Sequence, residues 1–112
     1  MKLQEVKDIL GAEVLTGEEK LDNEVFAAWG CDLMSDVLAF VDDQALLLTG
    51  LVNPQVVRTA EMMDMKAIVF VRGKVPADNI IELAKDSGIV VMATKTPLYT
   101  ACGKLYSNGL HK

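Results

Sequence analysis

From residue 45 onward the chain repeats one phrase three times: a short apolar run, a turn holding Gly or Lys, a proline, then apolar residues at helical spacing. The runs are Ala45–Thr49, Ala67–Val71 and Ile89–Ala93. Pro54, Pro76 and Pro97 fall roughly 22 residues apart, room for one strand, one short helix and their turns. Strands that are apolar at every position cannot leave one face in water. Alternating with amphipathic helices, they predict a three-layer α/β/α architecture with a mostly parallel sheet.

Each unit carries its own start and stop signals. In the first, Gly50 turns the chain, Asn53 is a natural N-cap and Pro54 the first helical residue, where its missing N–H costs nothing. The helix runs to about Asp64, with Val56, Val57, Ala60 and Met63 as its buried stripe. In the second, Arg72-Gly73-Lys74 and Pro76 precede a helix through Lys85 that stops at Ser87-Gly88, with Ile80, Leu83 and Ala84 facing the sheet. In the third, Thr96 is the expected cap, Pro97 the first helical residue, and Leu98, Ala101, Cys102 and Leu105 the stripe, ended by Asn108-Gly109.

Parallel strands joined by such crossovers place all three strand-to-helix turns at the carboxyl edge of the sheet. Three helix N-termini converge there, and their unpaired N–H groups and positive dipole ends favour an anion or phosphate. The turns supply Thr49, Gly50 and Asn53, then Arg72, Gly73 and Lys74, then Thr94, Lys95 and Thr96. Two readings stand at this point. The hydroxyls, amides and cations could surround a phosphate or carboxylate; equally, Asn53 and Thr96 serve as caps, Gly50 and Gly73 as turn residues, and the cations as a solvated rim.

The first 44 residues are less regular. Leu3, Val6, Ile9 and Leu10 predict a short helix ending at Gly11, Ala12–Leu15 a strand, Thr16–Lys20 a solvated turn and Val25–Trp29 a second β-type run. Gly30-Cys31-Asp32 leads into a helix with Met34, Val37, Leu38 and Val41 as its stripe, and Asp42-Asp43-Gln44 returns the chain to the sheet. If the second run is parallel to the others, Cys31 and Asp32 reach the same edge, adding a possible reactive thiol and a carboxylate. Among Met62, Met63 and Met65, one narrow stripe cannot bury both Met62 and Met63, so this cluster is a candidate interface.

With 112 residues, 51% of them hydrophobic, the chain is expected to fold as one domain spanning 1–112. The net charge of −5, without a basic stripe, argues against nucleic acid. Neither a signal peptide nor a membrane-length apolar run is legible, so a cytoplasmic location and no membrane contact are expected. Two cysteines without CxxC spacing make no zinc site, and no cofactor is implied. Cys102-Gly103-Lys104-Leu105 lacks the Ser or Thr of a phosphate loop, and the single histidine, His111, lies in the exposed C-terminal tail, so no nucleophilic triad can be built. The residues name no catalytic group and point away from an enzyme.

Read in order, Val14–Gly17, Gly30–Asp36, Leu47–Gly50, Ile68–Gly73 and Thr94–Ala101 resemble the DRTGG domain family over nearly the whole length. The resemblance implies a fold like the N-terminal domain of HPr kinase/phosphorylase, and kinship with domains in some phosphotransacetylases and regulated pyrophosphatases, where the domain accompanies an enzyme and is not its catalytic part. Some stand-alone members are encoded near iron hydrogenase genes, which points to redox or signalling partners. The contiguous string Asp-Arg-Thr-Gly-Gly does not occur here. Together these readings predict a non-catalytic regulatory or assembly module that homodimerises and binds a partner enzyme or signalling protein, with a nucleotide- or anion-sensing domain as the alternative.

Overall fold

The computed structural model describes residues 1–41 and 44–111. The Asp42-Asp43 part of the expected return turn lies outside them. A five-stranded sheet has the order β1-β5-β4-β3-β2. Its strands are β1 (Glu13–Thr16), β2 (Ala27–Gly30), β3 (Ala45–Thr49), β4 (Ala67–Phe70) and β5 (Val90–Ala93). β2 to β5 are mutually parallel, and β1 runs antiparallel to β5. The helices are α1 (Leu3–Leu10), α2 (Met34–Phe40), α3 (Pro54–Met62), α4 (Asp78–Asp86) and α5 (Leu98–Ser107), with a single 3-10 turn at Glu18–Lys20.

The uniform apolarity of the central strands has the expected cause. Leu46 and Leu48, with Val69 and Met92, face a core closed by α1 and α5; Leu47, with Ile68, Phe70 and Val91, faces a second core closed by α2, α3 and α4. Leu46, Leu47 and Leu48 are all 0% exposed, which is possible only in the middle of three layers, and each contributes about 2 kcal/mol of burial. α1 buries Leu3, Val6 and Leu10, ends at left-handed Gly11 (φ 58°), and has the Glu5 carboxylate accepting from the Lys2 N–H at its start.

Several local expectations change. Pro54 opens α3 with the Asn53 side chain accepting from Gln55 N–H, as read from the sequence. Pro76 precedes α4, as read from the sequence, and the helix starts at Asp78 once the Arg72-Gly73 turn has folded the chain back onto the end of β5. Pro97 is itself the N-cap of α5, and the Thr96 hydroxyl lies against Thr94 instead of capping. Leu38 is 41% exposed, since Met34, Val37 and Val41 already fill the side of α2 that meets the core. Val25 precedes β2 yet is fully buried.

Candidate ligand site at the carboxyl edge

Four parallel strands deliver their C-terminal ends to one edge, including β2, so Asp32 does join the turns after β3, β4 and β5. Its carboxylate is the centre of the first cluster. Asp32 Oδ1 accepts from the Thr49 hydroxyl at 2.9 Å and from Gly50 N–H at 2.8 Å, and Oδ2 lies 3.8 Å from an Arg72 guanidinium nitrogen. Thr49 Oγ1 accepts in turn from Leu51 N–H at 3.1 Å. Gly50 lets the Arg72 guanidinium lie close: a Cβ there would fall 2.3 Å from it and would push this half-exposed side chain aside. One carboxylate thus ties together the ends of β2, β3 and β4. With Asp32 and Arg72 both about half exposed, the ion pair contributes little; the two hydrogen bonds to the end of β3 carry the stability.

Arg72 (φ 61°) and Gly73 (φ 73°) both occupy the left-handed region, and Lys74 N–H returns to the Val71 carbonyl at 3.2 Å, the pattern of a type I′ turn. Arg72 N–H donates to the Thr96 carbonyl and Gly73 N–H to the Thr94 carbonyl, each at 3.0 Å, which locks this turn onto the chain leaving β5. Buried Thr94 joins that chain to α1: its hydroxyl donates to the Leu10 carbonyl at 2.7 Å and accepts from Thr96 N–H at 3.2 Å.

The turn divides the edge. On its far side from Asp32 is a cavity of about 490 Å³ lined by Gly73, Thr94, Lys95 and Thr96 together with Leu10, Gly11, Glu13, Val75 and Ala93. Of the residues singled out from sequence, Thr49, Gly50 and Arg72 therefore meet around Asp32, and Gly73, Thr94, Lys95 and Thr96 meet at the cavity. Asn53 is a helix cap, and exposed Lys74 lies outside the cavity lining. The α1 contribution was not legible, because nothing local says that Gly11 comes to rest beside residue 95. Among the described residues, no group of three or more His, Cys, Asp or Glu side chains could hold a metal ion.

The remaining candidates separate. Cys31 accepts from Leu33 N–H through its sulfur at 3.2 Å, as part of the turn into α2. It lies against the α2–α4 core, whereas Cys102 lies against the α1/α5 core on the other side of the sheet. Burial pushes the Cys102 thiol up from its ordinary value. Met65 is 3% exposed and Met63 packs on the core, so only Met62, 72% exposed, is on the surface. The methionine cluster is not one face.

Large exposed apolar side chains gather elsewhere. Phe26, Leu33, Phe40 and Tyr106 surround β2, one of the two edge strands of the sheet. Phe40 stacks on Trp29 of β2 with centroids 6.3 Å apart, and Tyr106 lines a small hollow with Ala28 and Gly30.

A parallel β-α-β-α-β-α-β sheet with one antiparallel edge strand, polar at its carboxyl edge, defines a three-layer α/β module. The chain belongs to the DRTGG domain family, whose model matches residues 5–107. The CBS and DRTGG domains of the regulatory region of Clostridium perfringens pyrophosphatase, crystallised with the activator diadenosine tetraphosphate, have a similar fold: TM-score 0.77 and 22% identity, over 93% of this chain and 45% of that one. This chain therefore spans under half of that structure. No curated protein matches the sequence. Among the described residues, no helix is long and apolar enough to cross a membrane.

Proposed function

We propose that this chain is a non-catalytic regulatory module that homodimerises and presents a surface to a partner protein. The carrying observation is the contrast between the two sheet edges. β1 is protected by a bulge between Val14 and Thr16 and by exposed Glu13 at its start. β2 reads Ala-Ala-Trp-Gly, without charge or bulge, and is surrounded by Phe26, Leu33 and Phe40, 55%, 58% and 67% exposed. An unprotected edge with this much apolar surface is a contact site. The regulatory sense is supported by family membership and by the place of the similar domain in a regulatory region. Light scattering over a concentration series is expected to show a dimer that Phe40→Glu converts to a folded monomer. A wild-type monomer at about 100 μM would refute self-association.

A second reading is favoured by the cavity at Thr94–Thr96. Its size suits a small ligand, Lys95 offers a cation, and Gly11 and Gly73 leave its walls open. This reading assigns the cavity to a nucleotide or other anion, supported by the nucleotide held in the similar structure. Thermal-shift titration with nucleoside mono-, di- and triphosphates is expected to stabilise the protein, with Lys95→Ala weakening the effect. Flat traces for all three would remove the reading.

A further inference from the structure

The proposed self-association has one geometry that explains three separate features together, and it rests on that reading. We infer that two copies join edge to edge along β2 about a two-fold axis normal to the sheet, forming a ten-stranded sheet in which α5 packs on α5 of the second copy across Gly103.

The first feature is the edge itself. Phe26 N–H donates inward to Gln44 O, and Met1 O accepts from Val25 N–H, so the free stretch is limited to Ala27–Gly30. Cys31 N–H donates to Leu48 O, and with the register Trp29↔Leu47 this turns Ala27 and Trp29 toward β3, so the outward backbone groups belong to Ala28 and Gly30. Antiparallel pairing centred on Trp29 satisfies them reciprocally, Ala28 of each copy with Gly30 of the other, which a two-fold axis requires.

The second feature is Gly103. Glycine inside a helix costs about 1 kcal/mol relative to alanine, and nothing lies within 4 Å of a Cβ built there, so no contact within the chain calls for it. Its neighbours at helical spacing are Tyr99 and Tyr106, 91% and 62% exposed, and the three residues share one flank of α5. This flank is on the side of Cys102, whose sulfur a Cβ on Gly30 would meet at 2.5 Å, and therefore on the β2 side; α1 packs along the helix elsewhere. Tyr99, Cys102, Gly103 and Tyr106 line a hollow of about 650 Å³ bordered by α5 and its C-cap Asn108. The tyrosines stand about 10.5 Å apart along the axis, too wide to clamp one planar ring and close to the diameter of a helix. A glycine between them lets a second backbone approach closely.

The third feature is the agreement in position. Leu98 and Cys102 lie over Gly30, and Cys102, Leu105 and Tyr106 border one hollow with Ala28 and Gly30. The midpoint of β2 is thus level with Gly103. α5 packs on both β2 and β3, which places its axis about 5 Å inside a β2–β2 seam, given a strand spacing of about 4.8 Å. The two α5 axes then run about 10 Å apart, the ordinary distance of packed helices. On the opposite face, Leu33 at the N-cap of α2 and Phe40 at its end come to the same seam. Together, the exposed areas of Phe26, Leu33, Phe40, Tyr99 and Tyr106 amount to roughly 600 Å² per copy, enough for the total of about 1,200 Å² that a stable interface needs.

The test uses the full chain. Gly103→Trp meets open space in the monomer, so the fold is retained by circular dichroism while dimer dissociation rises at least tenfold by light scattering. In a Cys31→Ser, Cys102→Ala background, Gly103→Cys is expected to give a disulfide-linked dimer under mild oxidation, and Met62→Cys is expected not to. A dimer that tolerates Gly103→Trp and leaves Gly103→Cys uncrosslinked overturns this geometry and leaves self-association standing. A wild-type monomer overturns both.

Discussion

Thr94→Val removes one hydroxyl and almost no volume, which makes it the cleanest probe of how the carboxyl edge is held. Thr94 is 4% exposed, and its hydroxyl serves the Leu10 carbonyl at 2.7 Å and the Thr96 N–H at 3.2 Å. Valine keeps the shape, so no cavity term arises; the cost is two backbone groups deprived of a partner. An unsatisfied buried group costs about 1–3 kcal/mol, and Thr96 is only half-buried, so its N–H can recover a water. The expected loss is about 2 kcal/mol, corresponding to a fall in Tm of roughly 8 °C for a domain of this size. Urea unfolding followed by circular dichroism should show the lower midpoint at unchanged slope, and amide exchange should quicken at Gly11 and Ala12, where α1 is released. Thr96→Val, which loses only the longer 3.2 Å hydroxyl contact, should cost under about 1 kcal/mol. A Thr94→Val loss below about 0.5 kcal/mol, or one no larger than that of Thr96→Val, would refute the assignment of Thr94 as the pin between α1 and β5.

Asp32→Ala should destabilise by about 2 kcal/mol, since it deprives the Thr49 hydroxyl and Gly50 N–H of their acceptor, whereas Asp32→Asn, which keeps an acceptor oxygen, should lose less than half of that; urea midpoints separate the two. Asn53→Ala should cost about 1 kcal/mol through loss of the cap on Gln55 N–H, with Asn53→Asp nearly neutral, again by urea unfolding. Burial raises the Cys102 thiol, so the folded state holds that proton longer than the unfolded chain. Its stabilising contribution is therefore complete below the ordinary thiol range and is lost as pH rises through the raised folded-state value; stability-versus-pH curves of wild type and Cys102→Ala should run parallel near neutral pH and differ in slope only in the alkaline range.

Parts of the site were legible because a single residue type has a single local reason. Asn53-Pro54 reads as a helix start wherever it occurs, and the capped helix is found there. Gly73 reads as a turn, though the sequence could not say that Arg72 also adopts a positive φ, because that conformation is imposed by backbone hydrogen bonds to Thr94 and Thr96. Thr96 looked like a cap because it precedes a proline and an apolar stripe; the hydroxyl of Thr94, two residues away, competed for it. Met62, Met63 and Met65 looked like one cluster, but the turn after α3, with Asp64 at φ 53°, sends Met65 into the core and leaves Met62 outside.

The amino-acid sequence by itself determined the layered architecture. Runs such as Leu46-Leu47-Leu48 have no soluble solution except burial from both sides, and their alternation with punctuated amphipathic segments leaves few chain paths. It also determined that the turns after the strands share one edge. Tertiary structure alone decided how that edge is divided: which carboxylate gathers Thr49, Gly50 and Arg72, that the end of α1 helps form the cavity, and that β2, not the methionine cluster, carries the exposed apolar surface. Periodicity and capping are interactions between neighbours along the chain, so they are written locally. Contacts such as Thr94 to Leu10 join residues far apart in sequence, and nothing in either residue's neighbours specifies the other until the sheet has brought them together.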